Sequence, residues 1–298
     1  MITVADQSRL RGKLLFDEPM AKHTSWRVGG PADCFYVPAD LADLQLFLAT
    51  QSLVQPIYWL GLGSNLLVRD GGVRGTVVAT SGALDDLRKL DEQRVRAEVG
   101  VACAKVARFT VTHGLAGAQF LAGIPGTVGG ALAMNAGAFG GETWTIVEAV
   151  ETIDRQGRVR TRTRAEFTIG YRRVEGPAHE WFVAALFHLQ QGDEAEGKAH
   201  IKTLLVKRGQ TQPTRMANAG SVFKNPPGDY AARLIEASGL KGLCEGKACV
   251  SELHANFIVN TGEASAADIE GLINEVRERV ARAQGITLEL EVRVIGEP

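Results

Sequence analysis

The chain has 298 residues, 45% of them hydrophobic, and a formal net charge of −1. A chain of this length and apolar content can bury a large core and is expected to form two or three globular units. Its balanced charge argues against nucleic acid as the main partner, because binding to nucleic acid requires a concentrated basic surface.

Neither a membrane partner nor a metal is expected. The first residues lack the uninterrupted apolar core of a signal peptide, and no later segment reaches the length of a membrane span, so we predict a cytoplasmic protein. The cysteines at 34, 103, 244 and 249 contain no C-x-x-C pair, and the six histidines show no ligand spacing. This pattern predicts neither a disulfide framework nor a metal site.

Residues 1–80 are predicted to form a small lobe of mixed α and β structure. Residues 33–39, DCFYVPA, have extended character, and helical periodicity follows over residues 39–51. An apolar run then ends at Leu60 and leads into a glycine-rich loop.

A second mixed lobe is predicted over residues 81–195. It contains a strand over residues 94–100, a helix that stops at Gly114, and a hairpin that turns at Gln156 and Gly157. The arginines between Arg155 and Arg164 alternate with other residues, as on the solvated face of a strand.

A third lobe is predicted over residues 196–298, after the polar stretch GDEAEGKAH. Its clearest element is a helix that begins after the capping residue Ser265 and is closed by Gly285. The residues expected to form its buried face are Ile269, Leu272, Ile273, Val276 and Val280. The final segment, residues 288–297, has strand character, with its charged side chains on one face. This last strand could return to the first two lobes.

The glycine-rich sequence GLGSNLLVRDGG begins at Gly61. A dinucleotide fingerprint needs a third glycine where this chain has Leu66, and a P-loop needs a Gly-Lys-Ser/Thr ending that is absent here. What remains is a tight turn in which Gly61 and Gly63 permit close approach and Ser64 and Asn65 offer polar contacts. An anion-binding turn and an ordinary loop both remain open.

A second glycine-rich segment, residues 122–142, combines glycine, alanine and small polar residues with almost no bulk. Gly129 and Gly130 are expected to expose amides, and the side-chain amide of Asn135 could bind the carbonyl-rich edge of a ring. The alternative is tight helix packing. Each glycine in a helix interior costs up to about 1 kcal/mol relative to alanine, which favours a ligand surface. Two glycine loops in adjacent lobes predict one long ligand, such as a dinucleotide cofactor.

Ser221 and Lys224 lie in a turn-rich stretch before a helix. They could be a nucleophile pair, a proton donor beside a cation, or a turn serine beside a surface lysine. The residues alone leave these three interpretations open.

Seven segments in order carry a resemblance to a known family: HTSWRVGGPAD, GLGSNLLVRD, AGIPGTVGGALAMNAGAFG, GYRRVEG, NAGSVFKNPPGDYAARLIEASGLKG, VSELHANFIVN and LELEVRVIGE. Together they resemble the UDP-N-acetylenolpyruvoylglucosamine reductase family nearly end to end. The resemblance implies an α+β protein with a vanillyl-alcohol-oxidase type FAD-binding fold of two α/β lobes and a third α/β substrate-binding lobe. It also implies NADPH-dependent reduction of an enolpyruvyl sugar nucleotide in peptidoglycan precursor synthesis.

The resemblance assigns the cofactor to the two glycine loops. FAD would be held noncovalently, since neither loop contains histidine or cysteine. The residues expected to line it are Gly61, Gly63, Ser64, Asn65, Leu66, Gly123, Ile124, Pro125, Gly126, Val128, Gly129, Asn135, Ala136 and Gly137.

Catalytic and substrate-binding roles are also implied. Arg172 and Glu291 would polarise and hold the substrate carboxylate, and Ser221 would give a proton to the α-carbon. Lys224 and Asn225 would face the nucleotide part of the substrate. A monomer is plausible, although the sequence leaves the oligomeric state open.

Departures from the family pattern affect two of these assignments. Val174 stands where a serine is common, and the neighbouring Arg173 competes with Arg172 for the catalytic role. The segment between Arg172 and Ser221 lacks a tyrosine-bearing insertion, which indicates the shorter subclass and leaves the clamp on the sugar nucleotide unassigned.

Two other functions compete with this prediction. An FAD-dependent oxidase or dehydrogenase of the same fold, acting on an alcohol or hydroxy acid, would need a histidine or tyrosine base near the flavin. A nucleotide-binding module without chemistry would have no use for Arg172, Ser221 and Glu291 together.

Overall fold

The computed structural model describes residues 9–51 and 55–298. They divide into two compact units, each built from discontinuous pieces of chain. Unit 1 comprises the chain up to Leu15 with Cys34–Gly61 and Gly75–Val206, and unit 2 comprises Phe16–Asp33, Leu62–Arg74 and Lys207–Pro298. The division into three lobes stays a prediction.

Six α-helices lie in the described residues: α1 Leu41–Thr50, α2 Cys103–Thr112, α3 Val128–Met134, α4 Glu194–Thr211, α5 Ala231–Ala237 and α6 Ala266–Gln284. The described strands are β1 Lys13–Pro19, β2 Pro31–Val37, β3 Ile57–Leu60, β4 Leu66–Val68, β5 Val73–Ala79, β6 Leu87–Lys89, β7 Arg94–Glu98, β8 Leu115–Ala116, β9 Gly137–Ala138, β10 Gly141–Glu142, β11 Val147–Asp154, β12 Val159–Thr163, β13 Thr168–Gly170, β14 Arg173–Glu175, β15 Glu180–His188, β16 Gln190–Gln191, β17 Ala217–Asn218, β18 Cys244–Glu245, β19 Ala248–Val250, β20 Ile258–Asn260 and β21 Arg293–Ile295.

Unit 1 is built around an antiparallel five-stranded sheet in the order β12-β11-β15-β7-β6. A four-stranded sheet has the order β1-β2-β5-β3, in which β3 and β5 run parallel. The predicted hairpin is confirmed: β11 pairs with β12, and Gly157 takes a φ of 74° in the turn. The buried core includes Val95, Leu132, Val150 and Val183.

The arginines on β12 take part in ion pairs on a half-buried surface. Arg160 Nη1 lies 2.8 Å from Asp154 Oδ2, and Arg162 Nη2 lies 2.5 Å from Glu180 Oε1. The alternation was therefore correctly assigned to a strand, and its charges stabilise the sheet.

Unit 2 has a four-stranded sheet in the order β17-β20-β19-β18 and a core shared with helix α6. The helix matches the sequence prediction. The Ser265 hydroxyl accepts the Asp268 N–H at 3.0 Å, and Gly285 ends the helix with a φ of 69°. Its predicted apolar face is buried through Ile269, Leu272, Ile273, Val276 and Val280.

The prediction of no disulfide is wrong. Cys244 and Cys249 form a disulfide across the β18–β19 hairpin, where they are directly opposed. The pattern missed it because a spacing of five residues resembles no standard motif, yet a hairpin brings such positions face to face. Cys34 and Cys103 are buried and take no part in this disulfide.

The polar stretch at residues 192–200 runs into helix α4, whose polar residues face solvent, and the lobe boundary predicted beside it stays a prediction. The final strand is shorter than predicted, because Leu290 forms only an isolated bridge with Phe223 before β21 begins. Within the described residues, no helix is long and apolar enough to cross a membrane, and no cluster of three or more metal-ligating side chains is present.

Candidate active site

The first glycine loop depends on glycine at position 63 for its own folding. Gly63 has a φ of 61°, and a Cβ built there would lie 2.1 Å from the His23 carbonyl oxygen. The Gly63 carbonyl accepts the Ser25 N–H at 3.2 Å and the Ser25 hydroxyl at 3.3 Å. In unit 2, the HTSW segment therefore fixes the shape of this loop.

The same loop is tied to the segment that contains Glu291. Asn65 Nδ2 donates to the Glu291 carbonyl at 3.1 Å, and the Asn65 carbonyl accepts the Arg293 N–H at 3.0 Å. Leu66 then pairs with Arg293 in the parallel β4–β21 ladder. The structure thus brings together two predicted cofactor residues and a predicted catalytic residue that are more than 200 positions apart. Ser64 is half-buried in the same loop.

In unit 1, Gly61 packs against the second glycine-rich segment. A Cβ at Gly61 would lie 2.4 Å from Thr127 Oγ1. This hydroxyl is buried and has no hydrogen-bond partner among the described residues. Thr127 was not predicted as a site residue, although it is the one hydroxyl in GIPGTVGG and could have been noticed for that reason.

Most glycines of the second segment allow close packing within the protein. Added Cβ atoms would lie 2.4 Å from the Phe139 ring at Gly123 and 2.6 Å from the Gly141 carbonyl oxygen at Gly137. At Gly130 the same atom would meet nothing within 4 Å. The packing interpretation, set aside on the sequence, therefore explains several glycines, and Gly130 is the one in helix α3 that faces open space.

The backbone amides of this segment are partly used by the fold. The N–H groups of Val128 and Gly129 donate to the carbonyls of Val101 and Val99, each at 2.9 Å. The expectation that Gly129 exposes its amide is therefore wrong. Three other predicted residues of the turn differ in exposure, with Ile124 buried, Pro125 exposed and Gly126 intermediate.

Asn135 uses its side chain to hold the end of helix α3. It takes a φ of 44°, and its amide nitrogen donates to Glu142 Oε2 at 3.0 Å and to the Gly170 carbonyl at 3.2 Å. Its Oδ1 accepts the Trp144 N–H at 3.1 Å, and the residue is 1% exposed. The side-chain amide thus orders a turn instead of facing a ring edge. Ala136, the next predicted residue, is half-buried.

Arg172 and Arg173 differ sharply in their surroundings. Arg172 donates from Nη1 to the Asn135 carbonyl and from Nη2 to the Gly137 carbonyl, each at 3.4 Å, and its Cζ lies 4.9 Å from the centre of the Tyr171 ring. The Arg173 side chain is 69% exposed and pairs with Glu175 at 2.6 Å. Only Arg172 contacts a predicted cofactor-binding segment, which favours it over its neighbour.

In unit 2, Ser221 follows a turn and precedes a fixed stretch of backbone. Gly220 has a φ of 75°, and its N–H donates to Asn218 Oδ1 at 2.9 Å. Ser221 itself is partly exposed, and its hydroxyl has no hydrogen-bond partner within residues 9–51 and 55–298. A polar group held in this way is available to a ligand.

The neighbours of Ser221 connect it with the remaining predicted residues. The Glu291 N–H donates to the Val222 carbonyl at 2.8 Å, so Ser221 and Glu291 lie on adjacent segments of backbone. Lys224 Nζ lies 3.4 Å from Glu289 Oε2. Asn225 Oδ1 accepts the Ala231 N–H at 3.1 Å and so helps to begin helix α5.

Comparison with known proteins shows the family of this chain. Residues 32–163 match a family model described as an FAD binding domain. Residues 212–295 match the C-terminal domain of UDP-N-acetylenolpyruvoylglucosamine reductase. The chain is 60% identical over 286 residues to the reductase of that name from Alkalilimnicola ehrlichii, across 96% of each chain. The protein belongs to the UDP-N-acetylenolpyruvoylglucosamine reductase family.

Two further members support the same conclusion. The UDP-N-acetylenolpyruvoylglucosamine reductase of Methylococcus capsulatus is 60% identical over 287 residues, which cover 96% of this chain and 94% of that protein. The crystal structure of the Thermus caldophilus reductase is 33% identical and aligns with a TM-score of 0.81 over 96% of this chain and 99% of its own. The predicted α+β class and FAD-binding fold are confirmed.

The residues in unit 1 fit the cofactor of a UDP-N-acetylenolpyruvoylglucosamine reductase. Beside Gly61, Thr127 supplies a buried hydroxyl with no hydrogen-bond partner among the described residues, and Gly130 leaves open space above the backbone. A phosphate-bearing, flat ligand such as FAD needs this combination of a polar donor and close backbone approach.

Proposed function

We propose a role in the reaction for each predicted catalytic and substrate-binding side chain of this reductase. The protein is an oxidoreductase that reduces the enolpyruvyl group of UDP-N-acetylenolpyruvoylglucosamine, a peptidoglycan precursor, with NADPH as hydride donor. Bound FAD supplies the relay of hydride from NADPH to the β-carbon of the enolpyruvyl group. The remaining tasks, which are to bind the substrate, stabilise charge and move a proton, belong to the chain itself.

Ser221 gives the proton to the α-carbon in this proposal. Addition of hydride at the β-carbon leaves enolate-like charge at the α-carbon, which is basic enough to take a proton from a hydroxyl. The observation that carries the assignment is a partly exposed hydroxyl with no partner among the described residues, on backbone fixed from both sides. A nucleophilic role would need an activating base within hydrogen-bond reach of that hydroxyl.

Arg172 holds the substrate carboxylate and stabilises the charge that develops next to it. A guanidinium is always protonated and offers several donors in one plane, which suits a carboxylate. Its contacts with the backbone carbonyls of Asn135 and Gly137 orient the guanidinium group. We assign Glu291, fixed beside Ser221 through the Val222 carbonyl, to the same polarised region of the substrate.

Lys224 and Asn225 face the nucleotide part of the substrate. The pair between Lys224 and Glu289 is long, at 3.4 Å, and Glu289 is 78% exposed. Exposed ion pairs of this kind contribute little, so Lys224 can exchange its partner for a phosphate. We also place the enzyme in the cytoplasm, where NADPH and nucleotide-activated sugars are available to it.

Anaerobic titration of the purified protein tests the function. A yellow protein that is bleached by NADPH and regains its absorbance on addition of UDP-N-acetylenolpyruvoylglucosamine is the expected result. The alternative, an oxidase or dehydrogenase of the same fold, predicts bleaching by an alcohol or hydroxy acid and no recovery with the sugar nucleotide.

A further inference from the structure

Asn256 is a buried polar residue that the reaction described above does not use. It lies in the VSELHANFIVN segment of unit 2 and is 3% exposed. Its side chain contacts the backbone two residues after Ser221, although the two residues are 35 positions apart. A buried amide of this kind must be fully bonded, so the identity of its partners is informative.

The side chain of Asn256 binds the Phe223 backbone as a neighbouring strand would. Its Oδ1 accepts the Phe223 N–H at 3.0 Å, and its Nδ2 donates to the Phe223 carbonyl at 2.8 Å. The main-chain carbonyl of Asn256 also accepts the Val222 N–H at 2.9 Å. Asn256 thus bonds three polar groups of the Val222 and Phe223 backbone, which follows Ser221.

The opposite edge of the same backbone is held by the segment that carries Glu291. The Val222 carbonyl accepts the Glu291 N–H, and the Lys224 N–H donates to the Glu289 carbonyl, both at 2.8 Å. Residues 222–224 therefore lie between Asn256 on one side and residues 289–291 on the other. Loss of the Asn256 amide would leave the Phe223 N–H and carbonyl without their partners on this edge.

We propose that Asn256 is a positioning residue for proton transfer, which acts by fixing the backbone that carries Ser221. This inference rests on the proposed role of Ser221. A serine hydroxyl is a weak acid whose usefulness depends on its distance and direction to the accepting carbon. A misplacement of about 1 Å is enough to cost roughly 10²-fold in rate.

The loop that carries Asn256 is itself held by hydrogen bonds, which fix the position of the side-chain amide. The Asn256 N–H donates to His254 Nδ1 at 3.3 Å, and the Ser251 hydroxyl accepts the N–H groups of Leu253 and His254 at 3.2 and 3.4 Å. The Ser251 N–H donates to the Phe257 carbonyl at 2.8 Å, which closes the loop. The loop is internally bonded, so the side chain projects from a fixed base.

A double-mutant cycle on the intact flavoenzyme tests the proposal. Asn256→Ala is expected to slow reoxidation of the reduced flavin by the sugar nucleotide by roughly 10- to 10²-fold. Flavin content, reduction by NADPH and the substrate concentration for half-saturation should change little. In a Ser221→Ala background, the same substitution should change the rate less than about threefold, because residues that act through one another are not additive.

Two further variants separate positioning from stability. Asn256→Asp keeps the size and the acceptor for the Phe223 N–H but loses the donor to the Phe223 carbonyl, so an intermediate rate is expected; it also serves if the alanine variant does not fold. Asn260→Ala is the matched control. That side chain donates to the Trp26 carbonyl at 2.9 Å in the same unit and accepts the N–H groups of Gly262 and Ala264, so its hydrogen bonds lie outside residues 221–224. It should leave reoxidation unchanged.

The outcomes distinguish the inference from the function on which it rests. If Ser221→Ala slows reoxidation but Asn256→Ala and Asn256→Asp do not, the positioning role is refuted and the donor role stands. Full additivity of Asn256→Ala and Ser221→Ala refutes it as well. If Ser221→Ala reoxidises at the normal rate, the donor assignment is wrong, and the inference falls with it.

Discussion

The glycine-rich segment of unit 1 and the backbone around Ser221 in unit 2 are held in place by different kinds of contact. Between residues 122 and 142, glycines let aromatic rings and a backbone carbonyl pack closely against the chain. Around Ser221, hydrogen bonds from residues 35 and about 70 positions away hold a backbone that has no regular strand partner. The first arrangement is held by close packing, and the second by hydrogen bonds to the backbone of residues 222–224.

The difference predicts how each region responds to change. Larger side chains should disrupt the glycine segment, which depends on close approach, whereas loss of hydrogen-bonding groups should disrupt the backbone around Ser221. Each experiment below either adds bulk or removes one polar group.

The largest effect is expected from removing the Ser221 hydroxyl. Ser221→Ala should lower product formation by roughly 10²- to 10⁴-fold, the range for loss of a general acid. Ser221→Cys should keep some turnover, because a thiol can also donate a proton. Steady-state assays of NADPH consumption with the sugar nucleotide measure both. Near-normal turnover of the alanine variant would exclude the donor role.

Arg172→Ala should reduce substrate turnover by about 10²-fold, as expected when a donor to developing negative charge is lost. Arg173→Ala is the matched control, because its guanidinium is exposed and pairs only with Glu175 among the contacts found for it. The control should change turnover less than about fivefold, since exposed pairs contribute at most about 1 kcal/mol. The reverse pattern would move the role to Arg173.

Added bulk at Gly130 should release the cofactor. Gly130→Leu places a side chain in open space, so the fold has no reason to suffer, yet the backbone loses its approach to FAD. Gly209→Leu is the matched control, a helical glycine that also meets nothing within 4 Å. Flavin absorbance per chain should fall only in the first variant. Full flavin content in Gly130→Leu would show that this surface does not line the cofactor.

The same experiment at Gly63 would be less informative. Any side chain there would collide with the His23 carbonyl and adopt a strained backbone conformation, so loss of flavin from Gly63→Val would report the fold of the loop.

The smallest effect is expected from the hairpin disulfide. Reduction of the bond between Cys244 and Cys249 removes the constraint on a short loop, which is worth about 2 kcal/mol in the chain-entropy model. Urea unfolding with and without dithiothreitol measures this difference. Turnover should not change, because the hairpin is held by its own pairing and by packing against α6. Loss of turnover on reduction would show that the site depends on the disulfide.

Local patterns predicted much of the fold. The α6 helix, with its Ser265 cap, its apolar face and its Gly285 end, follows from residues within one segment, as does the β11–β12 hairpin. The disulfide and the shortened final strand could not be read in this way, because both depend on which strands meet.

In the candidate site, too, the sequence predicted local features but not the contacts between distant segments. Glycine content predicted two cofactor-binding segments, but it could not distinguish Gly130, which faces open space, from Gly123 or Gly137, which pack inside the protein. No residue near Asn256 in the sequence indicates its contact with Phe223. The preference for Arg172 over Arg173 gained a physical reason only from the contacts of Arg172 with the carbonyls of Asn135 and Gly137.

Rapid-mixing absorbance of the two half-reactions of Ser221→Ala tests the central claim most directly. The account predicts that NADPH reduces the flavin at the wild-type rate and that reoxidation by UDP-N-acetylenolpyruvoylglucosamine is slowed by roughly 10²-fold or more. Slow reduction by NADPH followed by normal reoxidation would contradict it, as would a covalent substrate adduct trapped on Ser221 of the unmodified enzyme.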